Sequence, residues 1–74
     1  PSTNINYSLP KMAKVKLEIY NSIGVLVSVL VDEEQSAGRH AIAFNASQIS
    51  SGMYFYRLIA NGNIIQTKKM ILIK

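Results

Sequence analysis

A chain of 74 residues has room for one small domain, and its 49% hydrophobic content places it among folded rather than disordered sequences. The absence of cysteine excludes disulfides and thiolate metal sites, and no apolar run approaches the roughly 20 residues of a membrane-spanning helix. The net charge of +4 comes from scattered cations (Lys11, Lys14, Lys16, Arg39, Arg57, Lys68, Lys69 and Lys74) with no accompanying nucleic-acid motif, so nucleic acid is not an expected partner.

The chain opens on a turn-like Pro1-Ser2-Thr3-Asn4 without a leader, and is read as a piece of a longer protein. The dominant period is then two. Ile5, Tyr7 and Leu9 alternate with Asn4, Asn6 and Ser8, and Pro10, which cannot donate to a ladder, stops that strand. Val15, Leu17 and Ile19 alternate with Lys14, Lys16 and Glu18, predicting a half-buried strand with its charges facing water. Tyr20 to Gly24 is a turn, because Asn and Gly tolerate positive φ.

Val25 to Val31 is a β-branched apolar run, a strand by length and composition. Asp32 to Gly38 is polar and is expected as a loop or short helical turn. His40, Ile42 and Phe44 share one face of the next strand, with Ala41, Ala43 and Asn45 on the other. Ala46 to Gly52 is a connection whose Ile49 is expected to tuck inward. Met53 to Ala60 is an aromatic strand. Tyr54, Tyr56 and Leu58 lie on one face, and Met53, Phe55, Arg57 and Ile59 on the other. Asn61-Gly62 is a hairpin signal, since both central positions of a type I′ turn require positive φ. Ile64 to Ile73 is the closing strand, pairing back on the aromatic one.

Six strand-like runs with no helical periodicity predict an all-β fold, an immunoglobulin- or fibronectin III-like antiparallel β-sandwich of about six to seven strands. A further strand is expected upstream of Pro1. Without it an open edge could pair with other chains, so strand-edge self-association is an expected property.

The residues offer little for catalysis. His40 is the lone histidine, beside Arg39 and without an acidic neighbour in sequence to orient it. Asp32, Glu33 and Glu34 are consecutive, so they point in different directions rather than flanking a cleft, and their spacing matches no calcium loop. The serines fit no nucleophile elbow, and no glycine-rich phosphate loop is present. No enzyme activity, metal or cofactor is expected. Met53 and Phe55 are apolar on a face that should be wet. Either other structure covers them or they form a contact surface.

Several signatures occur in one order. They are Pro1 to Pro10, Val15-x-Leu17-x-Ile19-Tyr20-Asn21-x-x-Gly24, Gly38-x-His40, and Phe44-Asn45-Ala46. Then come Ser51-Gly52-Met53-Tyr54-Phe55-Tyr56-Arg57-Leu58 and Gln66-Thr67-Lys68-Lys69-Met70-x-x-x-Lys74. Together they resemble the C-terminal sorting domain of the type IX (Por) secretion system, and the related immunoglobulin-like domain of flagellar hook-capping proteins. The resemblance covers almost all of the chain. It implies a single C-terminal sandwich over residues 1–74, lacking its extreme N-terminal segment, at the end of an exported protein bound for the cell surface or beyond.

The implied partners are the outer-membrane translocon and a sortase-like peptidase. The implied recognition residues are Gly52, Met53 and Tyr54, with Lys68, Lys69, Met70 and Lys74 of the terminal strand. The residues themselves leave two roles open for the terminal lysines, edge protection and recognition, and Gly52 also serves to turn the chain into the aromatic strand. Two other functions stay open at this level: a structural spacer or assembly module, and an ancillary carbohydrate-binding module with aromatics in a plane.

Overall fold

The computed structural model describes residues 2–73. Among them are six strands and no helix: β1 (Ser2–Leu9), β2 (Ala13–Asn21), β3 (Leu26–Gln35), β4 (Gly38–Asn45), β5 (Gly52–Ala60) and β6 (Asn63–Leu72). All neighbouring pairs are antiparallel. β1 and β4 form a two-stranded sheet, and the other four form a sheet in the order β3-β2-β5-β6. The two sheets face each other as an immunoglobulin-like sandwich.

Alternation supplies the core. Ile5, Tyr7 and Leu9 of β1 and Phe44 of β4 meet Val15, Leu17 and Ile19 of β2 and Tyr54 and Leu58 of β5. Val15, Leu17 and Ile19 have no exposed surface at all, so β2 is the central strand of the packing. Ile49 packs against this cluster from the β4–β5 connection.

The turns follow their residues. Asn61 and Gly62 have φ values of 51° and 82°, as a type I′ hairpin between β5 and β6 requires. Asn61 also ties that turn to β2: its backbone N–H donates to the Lys14 carbonyl at 2.8 Å, and its Oδ1 accepts from the Lys14 N–H at 2.9 Å. In the β2–β3 turn, Asn21 Oδ1 accepts from the N–H groups of Ile23 and Val25.

Two expectations need correction. Asp32 to Gly38 is not a loop, because β3 continues through Gln35 and only Ser36 and Ala37 lie between it and β4. The physical reason lies on the neighbouring strand, where Lys16 stands opposite Asp32 and Lys14 opposite Glu34. Cross-strand opposite charges favour pairing that a polar run read alone does not reveal. The second correction concerns β2. Lys14 is exposed, but Glu18 retains only 8% of its surface. Neighbouring side chains of the sheet cover it.

Candidate docking surface

β6 is an edge strand, paired on one side with β5 and free on the other. The pairing places Gly52 opposite Leu72, Met53 opposite Ile71, Tyr54 opposite Met70, Phe55 opposite Lys69 and Tyr56 opposite Lys68. Two motifs separated in sequence therefore lie side by side at one end of the sheet. Lys68 and Lys69 are both exposed. Being consecutive in a strand they leave it on opposite faces, Lys69 with Phe55 on the outer face and Lys68 with Tyr56 on the inner.

The other candidate residues divide by burial. Met53 is exposed on the outer face. Tyr54 is buried, and its hydroxyl donates to the Ser50 carbonyl at 2.8 Å, fastening the β4–β5 connection. Met70 packs against the core. Gly52 adopts φ 154°, a conformation that side chains of L-residues rarely take, and so sets the direction in which β5 begins. Lys74 lies outside the described residues. The β5–β6 register breaks between Leu58 and Ile59, so Ile65 has no opposite residue in the ladder. A bulge of this kind on an edge strand weakens it as a template for chance pairing.

The outer face of the four-stranded sheet holds a cluster that the alternation pattern does not reveal as a unit. Glu18 of β2 stands opposite Arg57 of β5. Tyr20 donates its hydroxyl to Glu18 Oε1 at 2.6 Å, and the Arg57 guanidinium carbon lies 4.9 Å from the centre of the Tyr20 ring. The hydrogen bond to Glu18 holds the Tyr20 hydroxyl above its ordinary value of 10.0, with partial burial and the Glu18 charge acting in the same direction and Arg57 opposing. Arg57 Nε is buried without a hydrogen-bond partner. Period two identifies Glu18, Tyr20 and Arg57 as outward-facing; their mutual contact depends on the β2–β5 register.

Further contacts join the β1–β4 sheet to its surroundings. His40 stacks on Tyr7 with ring centres 5.3 Å apart, and its Nε2 lies 2.8 Å from the Ser36 carbonyl. The Tyr7 hydroxyl donates to Gln35 Oε1, joining the two sheets. Burial raises the Tyr7 pKa and the Glu33 charge adds to this, while the Gln35 bond works against them. Among the described residues no group of three or more His, Cys, Asp or Glu side chains is placed to hold a metal ion. Phe55 and Tyr56 are half-buried and point to opposite faces of β5, so they do not form one plane.

A family model described as the secretion system C-terminal sorting domain matches residues 1–74. No curated protein and no solved structure matches the chain.

Proposed function

Because the chain belongs to the family of type IX secretion-system C-terminal sorting domains, we propose that its folded surface is read at the β6 edge and at the adjoining start of β5. Domains of this family mark proteins for secretion to the cell surface or outside by way of the outer membrane. The family is not a catalytic one.

The observation that carries the proposal is the side-by-side placement of Gly52–Tyr54 and the lysine-bearing end of β6, on a strand with a free edge. A free edge offers backbone donors and acceptors for strand addition, and exposed Lys68 and Lys69 offer charge that steers an acidic partner. Met53, opposite Ile71, supplies an exposed apolar contact beside them. In this reading Tyr54 and Met70 position the surface from beneath, Gly52 aims it, and Lys74 extends its charge. The readers are the translocon and then a sortase-like peptidase.

The test is a fluorescent reporter carrying an export signal, fused to this domain in a host with the type IX machinery. The double variant Lys68→Glu/Lys69→Glu should keep the fold, since both side chains are exposed on an edge, while surface delivery falls several-fold. Delivery at the parent level by a folded charge-reversed reporter would remove these lysines from recognition. Deleting residues 69–74 should block delivery as well, with circular dichroism used to separate a lost contact from a lost fold.

A further inference from the structure

We infer that the end of the sandwich bearing the β2–β3 turn is a lipid-contacting tip, one that seats on an anionic bilayer surface. The inference does not rest on the export role. It starts from the strand register, which turns scattered exposed apolar residues into one patch. On the outer face, Leu26, Tyr20, Phe55 and Lys69 form a row across all four strands. The next row toward the turn contains Met53 opposite Ile71. Ile23 projects from the turn itself with 82% of its surface exposed, and Ile73, one residue beyond β6 at the same end, with 87%. Val25 and Leu26 are exposed beside them. A contiguous patch of this kind marks a contact surface, whereas single exposed apolar side chains do not.

Charge selects the occupant. The chain has four acidic residues. Glu18 is buried against Tyr20, and Asp32, Glu33 and Glu34 lie at the far end of β3, opposite Lys16, Val15 and Lys14. The tip therefore shows no exposed acid among the described residues, and Lys68 and Lys69 flank it. Apolar side chains beside cations, with aromatic rings one row behind, fit an interface of headgroups and acyl chains. Ile23 and Ile73 are the most exposed large apolar side chains of this end. A bilayer surface accepts such exposed side chains without the shape complementarity that a protein partner would demand.

The experiment is flotation of the 74-residue chain with phosphatidylcholine vesicles, with and without phosphatidylglycerol. The chain should float with the anionic vesicles at millimolar lipid, and salt should weaken that binding. Ile23→Asp/Ile71→Asp should lower partitioning about tenfold or more, because two apolar contacts become anionic. Lys69→Glu should lower it about tenfold on anionic vesicles only, which keeps the test intact should the double variant fail to fold. Ile64→Asp, at an exposed apolar position near the opposite end, should partition like the parent. The inference is overturned by absence of flotation at millimolar lipid, or by parental partitioning of both tip variants. It is equally overturned by an equal loss with Ile64→Asp, or by a stable dimer in sedimentation that the tip substitutions dissolve, which would assign the patch to a second copy.

Discussion

At the residue scale, the group with the highest stakes is Glu18. A carboxylate on the outer face of a sheet ordinarily stays wet, yet this one is covered and held by the Tyr20 hydroxyl beside Arg57. Arg57 stands across the strand from Glu18 and over the Tyr20 ring, so replacing it removes a nearby positive charge and a cation–π contact. Arg57→Met should therefore destabilise the domain by about 1 kcal/mol, read from urea melts, and Glu18→Gln in that background should recover part of the loss. An unchanged midpoint in Arg57→Met would mean that water supports Glu18 unaided. The two shifted tyrosines bear on stability at alkaline pH. Both Tyr7 and Tyr20 are raised above 10.0 in the folded state, so the folded protein holds these protons more tightly than the unfolded chain does. Their contribution is complete below pH 10.0 and is lost as the pH climbs through the raised values. Denaturant melts across that range should show stability falling, and Tyr7→Phe/Tyr20→Phe should flatten the fall.

At the scale of elements, two corners decide where the candidate surface points. At Gly52 an added Cβ would find its nearest neighbour, Tyr54 Cε2, at 4.0 Å, so space is not the constraint and the φ of 154° is. Gly52→Ala should cost about 1–2 kcal/mol from backbone strain alone, with the cost visible in thermal melts. The Asn61-Gly62 hairpin separates two effects. Asn61→Gly keeps the positive φ and loses only the side-chain bond to Lys14, for about 1 kcal/mol, whereas Asn61→Ala loses both and should cost more. Equal melting of the two variants would show that the Lys14 link carries no weight. The hairpin itself is legible from two adjacent residues, because a type I′ turn is a local requirement. The length of β3 is not: Asp32 to Gln35 reads as loop until Lys14 and Lys16 stand across from it.

At the scale of the molecule, stability resides in the layer contact and the proposed docking surface lies at the edge. Leu17 is fully buried in the middle of β2, so Leu17→Ala should cost about 3 kcal/mol, a large part of what a domain this small commands. Ile64 is exposed on β6, and Ile64→Ala should stay within about 0.5 kcal/mol of the parent. Comparable losses in parallel urea melts would contradict a core confined between the sheets. The candidate site was partly legible before any fold was known: the ordered motifs pointed to Gly52–Tyr54 and to the terminal lysines. That Tyr54 and Met70 face inward while Lys68 and Lys69 reach solvent follows from burial and strand position, which alternation alone does not provide. The amino-acid order by itself determined the all-β class, the alternation within each strand and the tight turn, since each depends on neighbours within a few positions along the chain. Only the tertiary structure decided that β6 lies at an edge beside the start of β5, that Glu18 is covered, and that isoleucines distant in sequence lie at one end of the sheet. Those are matters of which strand pairs with which and in what register, and such long-range pairing is settled by the packing of the whole sandwich.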